Sequence, residues 1–571
     1  MLPVDIVDAA KKKDAEIISV LKTGKSFCVE AGAGAGKTYS LNIVIDWLRD
    51  NKAKSYTRNG MQVICITFTN AAVNVIASRL KDTSFIVPST IHGFAWGAIA
   101  QFQYEITKLI GEDKEYFNMS QEDVNSLEEI RYTLGNRIFD NKTLYLYHDD
   151  VLKLFIKMLD KKEYRDWFSR VYPLILIDEY QDTRDDIVQQ FIKYFINKKE
   201  GPQIGFFGDS WQTIFQMNKP CGTIESKNIR RINKHINFRS AKEVVNVLNK
   251  MRSDLIQISA NEEIEGTVKV ILCDDFVGVR SNERNFKGDL PIDEFNKRVN
   301  VVEEIIRCNY QMPHESMKTL MLTNRLLAIY QEYDEVFEEL GSTIFREESD
   351  PIYQFFKLKI EPMRRALNND DICALMEVLG SNFPPISSKD DKERWILLKE
   401  ALMGAETKTA YEVISAIVEL RDIIPIPRDV LRVLELFRMY KEEIGSEEIE
   451  HIKRYLSIKY KQFINAINYF EPTSMFSTEH GSKGEEYDNV LFVISKGWSF
   501  YQFDKYLPHR NESSKEYIRN RNLFYVSCSR AKRNLFLLIT YPIDDAFRTY
   551  LDQVFGHKNI IQYDEFVRLQ K

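Results

Sequence analysis

Six short runs of β-branched, aliphatic and aromatic residues recur along the chain, and a polar or glycine-containing segment follows each of them. The runs are SFCVEA (26–31), VICITFT (63–69), LILIDE (174–179), IGFFGD (204–209), NVLFVI (489–494) and NLFLLIT (534–540). Continuous apolar strands that alternate with helical segments are typical of parallel sheets buried on both faces. The pattern therefore predicts an α/β fold, in which ligands bind where the carboxyl ends of the strands open into loops.

Two long intervals break this strand pattern. From Phe94 to Tyr172, and again from about Ser342 to Pro472, apolar residues recur at the spacing of an amphipathic helix. We interpret both intervals as helical insertions into two α/β cores. The predicted divisions are a first core formed by 1–93 and 171–236 with an insertion at 94–170, and a second core formed by 237–341 and 473–571 with an insertion at 342–472.

Composition is compatible with several buried cores in one long chain. The 571 residues are 44% apolar and 12% aromatic, and the net charge of −6 means that any nucleic-acid surface must be a local groove. The seven cysteines are scattered without the spacing of a zinc or iron–sulfur site, which favours a reducing compartment. We find neither a signal peptide nor an apolar run of roughly 20 residues. A cytoplasmic protein without membrane contact is expected.

The segment AGAGAGKT follows the first apolar run and precedes an apolar helix. Small residues let consecutive backbone N–H groups converge on phosphate oxygens, and the helix N-terminus adds partial positive charge. Lys37 is placed to reach the β- and γ-phosphates, and Thr38 to ligate magnesium. A glycine-rich turn that simply enters a helix is the alternative. The residues predicted to bind the nucleotide here are Ala31, Gly32, Ala33, Gly34, Ala35, Gly36, Lys37, Thr38 and Tyr39.

Two adjacent carboxylates, Asp178 and Glu179, end the apolar run LILIDE. Asp178 can hold a magnesium ion through water, and Glu179 can orient and deprotonate an attacking water molecule. An ordinary acidic turn is the alternative interpretation. The phosphate loop in the same chain favours the catalytic one.

Eight blocks in one order carry a family resemblance. They are AGAGAGKT, TFTNAA (67–72), TIHGFAW (90–96), DEYQDT (178–183), GDSWQTIF (208–215), NFRS (237–240), HGSKGEEYD (480–488) and YVSCSRA (525–531). Block by block the chain resembles superfamily 1 DNA helicases of the UvrD, PcrA and Rep type, from Glu30 to Leu538. The resemblance implies two RecA-like domains that bind ATP and Mg²⁺ in the cleft between them.

The resemblance also implies roles for residues outside the phosphate loop. Gln212 matches the glutamine that senses the γ-phosphate, and Arg239 and Arg530 match arginines that the second domain contributes to catalysis. Phe238 matches the aromatic residue that stacks on the base, and Glu486 the acid near the ribose. The adenine-binding glutamine motif of the family is absent from DAAKKKDAEIISVL (8–21), which leaves strict adenine preference open.

For single-stranded DNA, the resemblance implies a groove of aromatic and polar contacts. Sequence-neutral binding uses bases stacked on aromatic side chains. The corresponding residues are Thr67, Phe68, Thr69, Asn70, His92, Phe94, Trp211, Phe215 and His480. Met217 stands where the family usually has a stacking tryptophan, so the stacking platform is shifted to Trp211 or missing. HIKRYLSIKYKQF (451–463) interleaves cations with aromatics, and we favour a solvated helix face over a DNA contact there.

These features predict an ATP-dependent DNA helicase or translocase on single-stranded DNA, and the resemblance implies 3′-to-5′ movement. The alternative is a DNA-binding ATPase subunit that unwinds little and works with a nuclease, as in Gabija-like anti-phage systems that the chain resembles in size and pattern. A P-loop kinase would leave the blocks after Asp209 unexplained. The short segment after Arg530 predicts no nuclease domain of the kind that some relatives carry.

Overall fold

The computed structural model places two parallel sheets in one chain. It describes residues 4–67, 70–80, 84–133, 136–214, 219–261, 263–309, 317–347, 350–380, 386–421, 423–440, 446–471, 474–478 and 483–569.

The first sheet has six strands, and every neighbouring pair in it is parallel. In chain order the strands are β1 (Phe27–Ala31), β2 (Val63–Thr67), β3 (Ile86–Thr90), β7 (Leu174–Asp178), β8 (Gln203–Gly208) and β9 (Arg230–Lys234). Their order across the sheet is β3-β2-β7-β8-β1-β9. β1 therefore lies between β8 and β9, which puts its carboxyl end beside the end of β8.

Apolar side chains cover both faces of the first sheet. Phe27, Val29 and Ala31 pack toward helix Lys37–Arg58, whereas Cys28 packs into the opposite cluster. This alternation buries both faces of the strand, and its one carboxylate, Glu30, is buried as well. The flanking helices are Val4–Lys22, Lys37–Arg58, Asn70–Arg79 and Asp185–Gln190, the last continued by a π-helical turn, Phe191–Asn197.

The first insertion is helical only in part. Its helices are Ile91–Ile99, Gln103–Glu112, Lys114–Phe117, Gln121–Ser126, His148–Leu159 and Lys162–Val171. Between them lies a three-stranded sheet formed by β4 (Glu129–Tyr132), β5 (Ile138–Asp140) and β6 (Thr143–Leu146). The sequence did not predict this small sheet within the mainly helical insertion, because strands of three or four residues leave too short a periodic signal to recognise.

The second sheet also has six strands, all in parallel pairs. They are β12 (Thr267–Leu272), β13 (Met317–Met321), β14 (Phe476–Thr478), β15 (Tyr487–Ile494), β16 (Ala531–Ile539) and β17 (Ile560–Gln562), in the order β14-β13-β15-β16-β12-β17. Its flanking helices are Lys242–Met251, Ile292–Asn309, Asn324–Tyr330, Phe503–Tyr506, Lys515–Cys528, Asp545–Phe555 and Tyr563–Leu569. The predicted α/β class is confirmed, since the two parallel sheets with their helices are consistent with two RecA-like domains.

A helical bundle with its own apolar core interrupts the second sheet between β13 and β14. Its helices are Asp334–Glu347, Pro351–Phe355 with the π-helical turn Phe356–Ile360, Glu361–Asn368, Ile372–Leu379, Lys389–Met403, Ala410–Val418, Arg428–Met439, Glu447–Ser457 and Tyr460–Tyr469. The stretch 451–463 belongs to two of these helices. Ile458 separates them in an extended conformation.

A short parallel pair, β10 (Ile236–Ala241) and β11 (Ile258–Asn261), stands between the two large sheets. It follows β9 directly in the chain and contacts β16 of the second sheet. Among the described residues no helix combines the length and apolar character needed to cross a membrane.

Candidate nucleotide and nucleic-acid sites

The phosphate loop begins where β1 ends. Ala31 is the last strand residue and is fully buried in the core, so the loop that faces the cleft starts at Gly32. Gly34 and Gly36 have φ angles of 70° and 74°, a conformation that favours glycine. A Cβ on Gly34 would lie 2.5 Å from the Cβ of Arg239. Glycine at position 34 is therefore required by backbone conformation and by close approach.

The pair β10–β11 holds this loop from the opposite side. The Asn237 side-chain amide donates to the Ala33 carbonyl at 3.0 Å, and the Phe238 N–H donates to the Gly34 carbonyl at 2.9 Å. Gln257 donates to the same Ala33 carbonyl at 3.2 Å. These contacts set the phosphate loop against the segment that carries Arg239.

A cavity of about 300 Å³ lies between the loop and the second sheet. The predicted residues that line it are Gly32, Ala33, Gly34, Ala35, Gly36, Lys37, Thr38, Tyr39, Glu179, Gln212, Phe238, Arg239, Glu486 and Arg530. Tyr39 and Phe238 are 64% and 36% exposed, so both rings are accessible. Ala31 and Asp178 are the two predicted nucleotide-site residues that do not line it.

Glu179 faces Lys37 across the cavity, with 3.0 Å between Oε2 and Nζ. It adopts a left-handed conformation with φ 50°, which is uncommon for a residue with a side chain. Burial acts to raise the pKa of Glu179, but Lys37, Lys483 and the Gln181 amide outweigh it and hold that pKa at about 2. Glu179 is thus an ionised carboxylate, the state that a general base requires.

Asp178 ends β7 and lines a neighbouring cavity instead of the nucleotide cavity. Its Oδ1 accepts the Glu179 N–H at 3.0 Å. Burial and the adjacent Glu179 charge raise the pKa of Asp178 to about 7, against the attraction of Lys37. The hydroxyl of Thr38 with this carboxylate is a donor set suited to Mg²⁺, which usually takes one or two protein ligands beside phosphate oxygens.

Arg530 reaches the cavity from the second half of the chain. Only 1% exposed, it donates to the carbonyls of Val526 and Glu485, each at 3.0 Å. Burial and the Arg239 charge lower its pKa to about 10, which leaves it cationic at neutral pH. Arg239 pairs with Glu486, with 2.5 Å between Nε and Oε2. Both guanidiniums therefore line the cavity that holds Lys37.

Gln212 connects the two halves of the cavity. Its amide nitrogen donates to buried Asp209 at 2.9 Å, and its Oε1 accepts from Arg530 at 3.4 Å. Asp209 also accepts from the buried Arg252 of the second half at 2.6 Å. Gln212 is thus hydrogen-bonded to a guanidinium of the second half and to a carboxylate that another guanidinium of that half also contacts.

Lys483 is a functional candidate that the sequence did not single out. Its ammonium group forms an ion pair with buried Asp182 and donates to the Gln212 carbonyl at 2.6 Å. It lies inside the block HGSKGEEYD. A lysine in a polar loop usually indicates a solvated side chain. Because its buried partner, Asp182, lies far away in the sequence, the sequence alone gave no signal of this ion pair.

A second cavity, of about 730 Å³, adjoins the nucleotide cavity at Glu179. Thr67 and His92, two of the residues predicted to contact DNA, line it. The His92 ring lies 4.6 Å from the ring of His148, centroid to centroid. Burial, His148 and Arg184 lower the pKa of His92 to about 4, so this histidine is neutral.

Phe94 corrects one DNA prediction. It is 4% exposed and packs edge-to-face on Phe155, Phe168 and Tyr172 at centroid distances of 5.7, 6.0 and 5.5 Å. A ring enclosed in this way belongs to the core of the first insertion. It cannot offer a face to a base.

Trp211 corrects a second one. It is 7% exposed, and the Arg521 guanidinium lies 3.9 Å from its ring centroid. Tyr525 packs against it at 5.5 Å in an edge-to-face arrangement. Because side chains already cover this indole, it does not replace the stacking tryptophan of the family.

Phe68, Thr69, Phe215 and His480 lie outside the described residues, as does Met217. Asn70 begins helix Asn70–Arg79.

The two parallel sheets and the cleft between them define the class as a two-domain RecA-like fold with a phosphate loop. A family model described as an AAA domain matches residues 14–218.

Three relatives are similar over different extents. The Gabija protein GajB of Bacillus cereus strain HuB5-5 is 23% identical over 96% of this chain and 98% of its own length, and that of strain VD045 is 23% identical over 95% and 99%. The probable DNA helicase II homolog of Mycoplasma genitalium is 21% identical over 76% of this chain and 63% of its own length. These likenesses support a superfamily 1 helicase of the UvrD type, and the resemblance predicted from the motifs is confirmed.

Proposed function

We propose that the chain is an ATP-dependent DNA helicase or translocase that moves 3′ to 5′ on single-stranded DNA. A helicase-like, ATP-dependent function related to DNA is supported by the relatives, and the direction comes from the resemblance alone. The observation that carries the proposal is the cavity in which Lys37 and Glu179 of one half meet Arg239 and Arg530 of the other.

ATP is the proposed nucleotide, bound by the loop amides and Lys37. Thr38 and Asp178 would hold Mg²⁺, which neutralises phosphate charge when bound. When ATP binds, the Lys37 ammonium group leaves Glu179 and pairs with the phosphates, because it can face either partner. Glu179 is then free to orient water and accept its proton, while Arg530 stabilises charge on the transferring phosphoryl group.

ATP hydrolysis is coupled to DNA because the nucleotide cavity and the adjoining cavity share a lining residue. Glu179 lines both the nucleotide cavity and the cavity of Thr67 and His92. Closing the cleft around ATP shifts Arg530, and with it Gln212. If the halves alternate their hold on the strand, each hydrolysis cycle advances the protein.

The test is the rate of ATP hydrolysis with and without single-stranded DNA. We expect DNA to raise the rate, and Glu179→Gln to reduce it by on the order of 10²-fold or more while nucleotide binding persists. Asp545→Asn, an exposed carboxylate at a distant helix start, is the matched control. Hydrolysis that ignores DNA would contradict the coupling. Unwinding of a 3′-tailed but not a 5′-tailed duplex tests the direction.

A second candidate is a DNA-binding ATPase subunit that works with a nuclease and unwinds little. It is favoured by the nearly end-to-end similarity to Gabija GajB and by the covered indole of Trp211. Strand displacement measured alone and with a candidate nuclease subunit separates the two. Displacement without the nuclease supports the helicase, whereas ATP hydrolysis without displacement supports the subunit.

A further inference from the structure

A third cavity, of about 1180 Å³, lies between the two halves of the chain and apart from the nucleotide cavity. One wall comes from β1, β9 and the segment after β8. The other comes from the end of helix Lys242–Met251 and from helix Lys515–Cys528. A space of this size exceeds the roughly 300–1,000 Å³ of most small-molecule sites.

Glu30 is the unusual group in this cavity. It is 6% exposed, and one carboxylate oxygen accepts from the Tyr180 hydroxyl. The other oxygen, Oε2, is buried without a hydrogen-bond partner in the described part of the chain. A buried carboxylate oxygen left unpaired costs free energy. This oxygen therefore calls for a donor that the chain itself does not supply.

Charges of both signs line the cavity, with seven lysine and arginine side chains against five carboxylates. Among the described residues, the ion pairs of the wall use Lys13, Arg230, Arg252 and Arg521. Three further cations, Arg231, Lys219 and Lys515, take no part in them. Lys515 also opens helix Lys515–Cys528, whose N-terminal end carries partial positive charge. Other basic groups in the wall are already neutralised, as Arg252 is by Asp209 and Asp254. The surplus is positive and favours an anion.

We propose that this cavity binds a small phosphorylated ligand of nucleotide size, with its phosphate on Arg231, Lys219 and Lys515 and an N–H or O–H donor directed at Glu30. Nucleotides and sugar phosphates share this chemistry. The site goes beyond the proposed helicase activity, and its binding can be measured without any hydrolysis.

The position of the cavity gives the ligand a route to the catalytic cleft. Arg252 in its wall binds Asp209, which also accepts from Gln212. Arg521 in its wall covers Trp211, the residue next to Gln212. Occupancy bridges both halves and restrains their relative movement, so it alters ATP hydrolysis as well.

The experiment is calorimetric titration of the full chain, in which Arg231→Glu separates binding in this cavity from binding at the phosphate loop. The probes are AMP, GMP, ribose 5-phosphate and inorganic phosphate. We expect saturable binding of a nucleotide or of the sugar phosphate, weakened about tenfold or more by Arg231→Glu. Lys227→Glu, the same charge reversal on an exposed loop outside the cavity, should leave it unchanged.

Glu30→Gln is the second variant, because it is nearly isosteric and puts an amide donor where an acceptor is needed. It should weaken the same probe about tenfold, with a melting temperature no lower than that of the unmodified chain as the folding control. The proposal is overturned if no probe binds, if inorganic phosphate binds as tightly as the larger probes, or if Arg231→Glu has no effect. Displacement of the bound probe by an oligodeoxythymidine would also overturn it, since the cavity would then belong to the DNA path.

Discussion

The nucleotide cleft and the adjoining cavity that Thr67 and His92 line differ in the side chains that form them. In the cleft, Tyr39 and Phe238 keep exposed rings at the rim, and charged groups from both halves converge. By contrast, Phe94, which was predicted to contact DNA, packs in the core of the first insertion. The difference teaches that groups of both halves must come together to form the cleft, whereas residues of the first half alone line the adjoining cavity.

Arg530→Ala should have the largest effect. Removing a guanidinium that acts from the second half on the transferring phosphoryl group costs on the order of 10³–10⁵ in the rate of ATP hydrolysis. Steady-state hydrolysis with saturating DNA measures it. Arg533→Ala, an exposed arginine three positions along β16, should retain the normal rate. Equal rates for both variants would remove Arg530 from the mechanism.

Phe94→Ala should act on stability instead. Truncating a fully packed phenylalanine costs about 3–5 kcal/mol in the free energy of unfolding, because it leaves a cavity. Denaturant unfolding measures that loss. The milder variant Phe94→Leu, assayed while folded, should bind single-stranded DNA as the unmodified chain does. A large loss of DNA affinity in Phe94→Leu would restore Phe94 to the DNA site.

Lys483→Met should lower the free energy of unfolding by about 3 kcal/mol, since it leaves the Asp182 carboxylate buried without its cation. The double variant Lys483→Met with Asp182→Asn should recover much of that loss. Lys558→Met, an exposed lysine, is the control. Full stability in the single variant would show that the ion pair does not fix the cleft.

The smallest expected effect concerns pH. An unfolded histidine titrates near pH 6.5, whereas burial, His148 and Arg184 hold the pKa of His92 at about 4, against the attraction of Asp149. The stability that His92 contributes is therefore fully present above about pH 6.5 and is lost as the pH falls toward 4. Unfolding at pH 7.5 and pH 5 should show a shallower pH dependence in His92→Gln, but not in the exposed His509→Gln. An unchanged slope in His92→Gln would contradict its neutral state.

More of the nucleotide cleft than of the groove for single-stranded DNA could be predicted from the sequence, and the reason is physical. Phosphate binding uses backbone amides in a conformation that favours glycine, which Gly34 and Gly36 adopt. The glycines are therefore recognisable in the local sequence. An aromatic residue shortly after a strand gives the same sequence signal whether it contacts a base or packs in a core, as Phe94 in helix Ile91–Ile99 does. The ion pair of Lys483 with Asp182 spans 301 positions, and only the folded chain brings its partners together.

The most direct test of the cleft measures single-stranded DNA affinity with and without a non-hydrolysable ATP analogue. Because binding at coupled sites is reciprocal, closure of the cleft on the analogue should change the DNA dissociation constant by roughly 5–150-fold. In Arg530→Ala we expect that change to vanish while DNA still binds. The same dissociation constant for the unmodified chain with and without the analogue would contradict the account.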